Sequence, residues 1–320
     1  MLNIGLIGAG ELGSRHLQSL VNLGSTVHIT VVEPVMEAVE VAKQRVTEVA
    51  SAHSKISSVS YVSDIASLPT LLDFVVVATG AAPRLNIIKA LFEHAKVRYL
   101  VLEKVLFQNS SDYKEAARVI ELAETKVWVN CPRRMFTAYS DLKLMLNREA
   151  PVTMKVSGGE WGLACNAIHF IDILAFLTES TVSKINSSDL ESKVYTSRRD
   201  GYIELYGTIA VEFSNGHRLI LECTHDNSPI TIQLNDANSQ FLIDEMKGDI
   251  YINGELSKLK MIVRYQSELS QFIATQALSF AHAEITSFDE SCELHVSFIE
   301  SILEFYNRTL GLDSKILPIT

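Results

Sequence analysis

Cysteine and net positive charge are both scarce in these 320 residues, and each scarcity narrows what the chain can be. The four cysteines, at 131, 165, 223 and 292, form no CxxC pair and stand in no cluster with histidine. Such scatter suits neither a disulfide frame nor a zinc site. It reads as the reduced thiols of a cytoplasmic protein, with no metal expected. Lysine and arginine number 28 against 38 acidic residues, for a formal net charge of −10. An acidic balance without a basic stripe argues against nucleic acid or an anionic membrane as the main partner, while leaving room for local basic pockets. No apolar run reaches the roughly 20 residues of a membrane span, and stretches such as "DFVVVAT" have the size of a buried strand. The N-terminus enters a strand directly, so no secretory signal is expected.

The length suffices for two domains with sizeable cores. Over the first 130 or so residues, short β-branched runs ("LNIGLIG", "VHITVVE", "LLDFVVVAT", "VRYLVLEK", "KVWVNC") alternate with stretches whose apolar residues recur at helical spacing. That alternation predicts βαβ units and a doubly wound parallel sheet covered on both faces. After Pro132 the texture changes. Two helical stretches, "FTAYSDLKLMLNREA" and "NAIHFIDILAFLTES", precede a run of strands divided by turn signals such as "SNG", "KGD" and "ING". Such turns suit antiparallel hairpins. Two helices, near 265–283 and 289–308, complete the pattern. We place the boundary between residues 131 and 132, giving an α/β chain of two domains, 1–131 and 132–320.

The stretch "IGLIGAGELGSRH" runs a buried strand into Gly8-x-Gly10-x-x-Gly13 and then a helix. Glycine permits the tight turn, lets backbone approach a pyrophosphate, and lets the helix pack closely on its strand. The N–H groups of the helix start, where Glu11 and Leu12 stand, then face the phosphates. The next strand ends in Glu33, twenty positions after Gly13. A carboxylate there can accept from both adenosine ribose hydroxyls and would repel a 2′-phosphate. No Lys or Arg follows Glu33 until Lys43, so NAD is expected rather than NADP. The "VVVAT" strand brings Ala78 and Thr79 to the carboxyl edge, where open α/β sheets bind their ligands.

Several motifs in order, over nearly the whole chain, resemble one family, the glucose–fructose oxidoreductase, inositol dehydrogenase and rhizopine-catabolism (Gfo/Idh/MocA) oxidoreductases. They are the glycine turn followed by His16, the "VVVAT" strand end, "LEKV" at 102–105, "VNCPRR" at 129–134, "EWGLACNAIHFID" at 160–172 and the closing "SFDESCELHVSFIESIL". The resemblance implies a Rossmann domain followed by an α/β domain with an open, largely antiparallel sheet that often mediates dimers or tetramers. It also implies NAD(P)-dependent oxidation or reduction of a carbohydrate or cyclitol. The family's catalytic lysine falls at Lys104, with Glu103 beside it in the cofactor-binding set and Val105 where the family has proline. The family's catalytic histidine falls at His169, with Cys165 where the family has aspartate.

The residues' own chemistry agrees with these roles. An ammonium at a sheet's carboxyl edge can hydrogen-bond a substrate oxygen, and imidazole exchanges protons near neutrality. On a helix, Asn166 and Asp172 lie three residues either side of His169 and can share its face. Asn130, Arg133 and Arg134 are candidate substrate ligands, the guanidiniums for a carboxylate or phosphate. The sequence leaves open whether they are tied up in salt bridges instead. Trp161 reads either as a platform for a sugar ring or as a buried aromatic. The expected partner is a small carbohydrate, nucleotide-activated or anionic among the options. Three functions stay open: a dehydrogenase, an NAD-retaining lyase or glycosidase, and a non-enzymatic dinucleotide-sensing regulator.

Overall fold

The computed structural model describes residues 1–49 and 56–320. The chain divides into two compact units, one comprising 1–107, 111–130 and 264–288, the other 108–110, 131–263 and 289–320. The first unit is therefore discontinuous, because a late segment returns to it.

Its strands are β1 (Leu2–Ile7), β2 (Val27–Val32), β3 (Ile56–Val62), β4 (Leu71–Val77), β5 (Lys96–Leu102) and β6 (Lys126–Val129). Between them run α1 (Glu11–Leu20), α2 (Met36–Val49), α3 (Ala81–His94) and α4 (Ser110–Leu122). Strand order is β3-β2-β1-β4-β5-β6, all parallel, which is a Rossmann sheet whose order reverses between β1 and β4. These strands are buried on both faces, with Ile4, Leu6, Ile29, Val31, Phe74 and Val75 fully excluded from solvent. That is why they read as continuous apolar runs.

Register levels the strand ends: Ile7 lies beside both Val32 and Val77, and Val77 beside Leu102. The ladder continues one residue further, with hydrogen bonds from Gly8 N to Val32 O, Ala78 N to Ile7 O, Glu103 N to Val77 O and Asn130 N to Leu102 O. Gly8, Ala78, Glu103 and Asn130 therefore stand side by side along one edge.

The second unit holds α5 (Thr137–Met145), β7 (Thr153–Gly159), α6 (Leu163–Thr178) and β8 (Val182–Leu190). The short β9 (Tyr195–Thr196) and β10 (Ile203–Glu204) follow, then β11 (Gly207–Phe213), β12 (Arg218–Thr224), β13 (Thr231–Asn235), β14 (Gln240–Asp244), β15 (Asp249–Ile252) and β16 (Glu255–Lys260). Its main sheet runs β16-β15-β14-β13-β7-β12-β11-β8 and is antiparallel except for the parallel β7–β12 pair. Alternation puts Met154, Val156, Leu219, Leu221, Ile232 and Leu234 on a buried face. The apolar stretch "YIELYGTIAVEF" at 202–213, whose pattern alone suits a single strand, is broken into β10 and β11 by Leu205 and Tyr206.

The chain then re-enters the first unit as α7 (Gln266–Phe280) and β17 (Thr286–Ser287), β17 pairing antiparallel with β6. It ends with α8 (Phe288–Leu310) and a coil tail. Helix α7 packs on α1, where Ser19 Oγ accepts from Gln271 N at 2.8 Å. Among the described residues, no helix is long and apolar enough to cross a membrane.

Candidate active site

Two of the three glycines of the first turn are required by the fold, each for a different reason. Gly8 has φ +89°, and a Cβ there would lie 3.0 Å from Thr79 Cγ2. At Gly13 a Cβ would sit 1.9 Å from the Gly8 carbonyl oxygen, so only glycine lets α1 pack this closely on the turn. Around Gly10 the situation is reversed, since a Cβ would meet nothing within 4 Å. The protein itself makes no demand for glycine at that position, and the open space in front of the helix start is where a pyrophosphate would approach backbone. The N-cap of α1 is this Gly10, with no side-chain cap on the first-turn N–H groups. Glu11 is drawn aside by Arg45, whose Nη2 donates to Glu11 Oε2 at 2.7 Å and whose hydrogen bond and charge lower the Glu11 pKa. Leu12 follows on the same first turn.

Glu33, at the end of β2, folds back over the glycine turn. One carboxylate oxygen accepts from Ala9 N at 2.7 Å and the other from Val35 N at 3.0 Å. The backbone thereby fixes the carboxylate, and its remaining lone pairs can receive ribose hydroxyls. Across the β1–β4 switch, Ala78 pairs with Ile7, while Thr79 Oγ1 is buried with no hydrogen-bond partner. An orphan hydroxyl beside a bare glycine turn fits a bound dinucleotide.

Further along the edge, Glu103 is 3% exposed and lies inside a buried polar network. Its Oε1 contacts His16 Nε2 at 2.8 Å and accepts from Asn130 Nδ2 at 2.5 Å. Asn130 Nδ2 also donates to Gln266 Oε1 at 2.8 Å, and His16 Nδ1 lies 2.8 Å from Ser270 Oγ. Burial alone would raise the Glu103 pKa. Its hydrogen bonds to His16 and Asn130 and the charge on Lys104 outweigh that effect and hold it low. The structure thus places Glu103 and Asn130 in an internal network that clamps the residue before Lys104. Lys104 itself is half-buried just past β5, and the Lys104–Val105 peptide is cis.

In the second unit the charged candidates are consumed by one another. Arg133 makes a bidentate pair with Glu245, both contacts at 3.0 Å, and Tyr139 OH donates to the same carboxylate at 2.7 Å. Arg134 forks onto Asp172 at 2.8 Å through two nitrogens and reaches Glu290 at 2.7 Å. Burial would lower the Arg134 pKa, but the two carboxylates raise it. The open alternative in the sequence is thereby resolved: these guanidiniums are in salt bridges, and Asp172 is 1% exposed beneath one of them. Trp161 is 8% exposed, donates to Glu222 O at 2.9 Å and meets Phe170 edge-on, as a buried aromatic does.

On α6 only Cys165, Asn166, His169 and Phe176 escape full burial. Cys165, Asn166 and His169 form a strip one turn long, at the i, i+1 and i+4 spacing of a shared face. Asn166 Nδ2 donates to Trp161 O at 2.8 Å, and Glu204 accepts from Ala164 N at 2.7 Å, capping the first turn. Among the described residues, no group of three or more His, Cys, Asp or Glu could hold a metal.

One functional-edge residue escaped the sequence reading. Arg84 is 1% exposed in α3 and donates to the carbonyls of Thr79, Val105 and, at 2.8 Å, Leu106. The signal was present: Ala81, Arg84, Ile88 and Leu91 make the buried stripe of α3. An arginine at the helical spacing of an apolar stripe is a candidate for burial.

Comparison with known proteins agrees with this geometry. Residues 2–131 match GFO_IDH_MocA, described as an oxidoreductase family with an NAD-binding Rossmann fold. No curated protein matches the chain. Solved structures share the whole fold. An oxidoreductase from Agrobacterium radiobacter, in complex with NAD+, L-tartaric acid and magnesium, is 17% identical with TM-score 0.72, covering 96% of this chain and 97% of its own. The UDP-N-acetylglucosamine 3-dehydrogenase of Acidithiobacillus ferrooxidans is 12% identical with TM-score 0.71, covering 94% and 97%. A super-repressor mutant of Gal80p from Saccharomyces cerevisiae is 14% identical with TM-score 0.68, covering 97% and 96%.

Proposed function

We propose that this chain, whose dinucleotide-binding domain belongs to the Gfo/Idh/MocA oxidoreductases and binds NAD, transfers hydride between the cofactor and a carbinol or carbonyl carbon of a sugar, sugar derivative or cyclitol. The observation that carries the reading is the carboxyl edge of the first sheet. There a bare glycine turn, a backbone-fixed Glu33 and an orphan Thr79 hydroxyl stand in line with the half-buried Lys104. When bound, the nicotinamide supplies the hydride acceptor or donor.

In this reading Lys104 hydrogen-bonds the oxygen on the reacting carbon and stabilises the charge that grows on it as hydride departs. Glu103, its carboxylate satisfied by His16 and Asn130, holds the lysine's backbone and balances its charge. His169 takes or returns the hydroxyl proton. Asn166, on the same strip, orients substrate. With Arg133, Arg134 and Asp172 engaged in salt bridges, the structure favours a neutral polyol over an anion bound by those guanidiniums. None of the four cysteines is in a disulfide, and we place the protein in the cytoplasm. The open antiparallel sheet is the surface we assign to a homodimer or homotetramer.

The test is to incubate the protein with NAD+ and a panel of free sugars, cyclitols and nucleotide sugars, following NADH absorbance. Net NADH with one class supports the proposal. Substrate breakdown without net NADH would instead mark an NAD-retaining lyase or glycosidase. NAD binding with no chemistry on any class would favour a dinucleotide-sensing regulator.

A further inference from the structure

The segment that carries Lys104 continues as Val105, Leu106 and Phe107, all fully buried, and so must satisfy its backbone carbonyls inside the protein. Two different side chains do this. Tyr113 OH donates to Phe107 O at 3.1 Å and lies 3.3 Å from Phe107 N, holding the far end of the segment. At the near end, the Val105 and Leu106 carbonyls both accept from Arg84 Nη1. The other terminal nitrogen of the same guanidinium donates to the carbonyl of Thr79. One buried cation therefore ties two loops of the sheet edge: the end of β4, where Thr79 carries its orphan hydroxyl, and the turn immediately after Lys104.

We infer that Arg84 is a positioning residue for the reaction, setting Lys104 and Thr79 in fixed relation through a forked guanidinium that no other side chain reproduces. The planar fork matters, because it delivers donors from two nitrogens in a fixed geometry, whereas an ammonium is a point charge on a flexible stem. A reacting group displaced by about 1 Å can lose about 10²-fold in rate, so a clamp of this kind acts on chemistry without touching substrate. The inference rests on Lys104 being the group at the substrate oxygen.

The test compares wild type with Arg84→Lys and Arg84→Met by two measurements that need no substrate. The first is pulse labelling with an amine-reactive reagent, read peptide by peptide, with Lys89 and Lys96 of the same unit as internal references. The second is calorimetric titration with NAD+. In Arg84→Met we expect Lys104 labelling to rise several-fold relative to both references, with weakened NAD+ binding through Thr79. Arg84→Lys should fall between Met and wild type. If Arg84→Met does not fold, the Arg84→Lys ratio decides alone. Labelling of Lys104 at the wild-type ratio, or a rise shared equally by Lys89 and Lys96, overturns the positioning role. Failure of the catalytic reading shows up separately, as full turnover in Lys104→Met, and leaves the labelling result standing.

Discussion

At the glycine turn of the first unit two groups are left incomplete, whereas beside α6 of the second unit the charged side chains are closed on one another. Gly10 has open space where a side chain would be, and Thr79 Oγ1 has no partner. Arg133 and Arg134, by contrast, spend their forks on Glu245, Asp172 and Glu290. A buried charge is tolerated only with such pairing, and the second unit's conspicuous cations are committed to pairs within that unit. The difference teaches where to look for ligand contacts. We look for them at the glycine turn, where open backbone and an unpartnered hydroxyl stand together.

The comparison can be broken most forcefully at Arg134. If its role is to neutralise buried Asp172, Arg134→Met should cost about 3–5 kcal/mol of stability in a denaturant or thermal melt, the loss typical of removing one partner of a buried pair. A variant that melts like wild type but fails to bind substrate would return Arg134 to the site. Next is Gly13→Ala. Its methyl would collide with the Gly8 carbonyl, so α1 must shift, at roughly 1–3 kcal/mol of stability. NAD+ titration should show affinity down by at least about tenfold, equal to about 1.4 kcal/mol. Unchanged affinity would mean the turn does not hold the pyrophosphate.

A smaller effect is expected at Glu33. Replacing its charge-assisted hydrogen bonds by neutral ones in Glu33→Gln should weaken NAD+ by about 1 kcal/mol and narrow its advantage over NADP+. Equal NAD+ and NADP+ affinities in the wild type would show that Glu33 does not read the ribose. The smallest effect is at Cys165, where Cys165→Ser should leave stability within about 0.5 kcal/mol. On an identified substrate its turnover should stay well above that of His169→Ala. The reverse ranking would give the thiol the part assigned here to the imidazole.

The legible parts of this molecule were those governed by local rules. Buried parallel strands betray themselves as apolar runs, and the glycine spacing with Glu33 at the end of β2 follows from what a dinucleotide needs of backbone. Less legible was what depended on distant partners. That Arg134 meets Asp172 and Glu290, residues 38 and 156 positions away, has no trace in the spacing of "NCPRR". Glu103 could be placed at the edge, yet its capture by His16 and Asn130 required the fold. Strand β8 is hard to read because "VSKINSSDL" is an exposed edge strand whose polar alternation carries little apolar signal. The return of α7 to the first unit was hidden because its partner, α1, lies some 250 residues earlier, as the His16–Ser270 contact shows.

The central claim is that the first sheet's edge performs the chemistry and that Lys104 is its acting group. Steady-state turnover of Lys104→Met on the substrate that yields NADH, beside an NAD+ titration of the same variant, tests it most directly. We expect NAD+ affinity close to wild type and kcat lower by about 10²-fold or more, the loss characteristic of a missing acid–base or charge-stabilising group. A Lys104→Met enzyme that turns over at the wild-type rate would contradict the account.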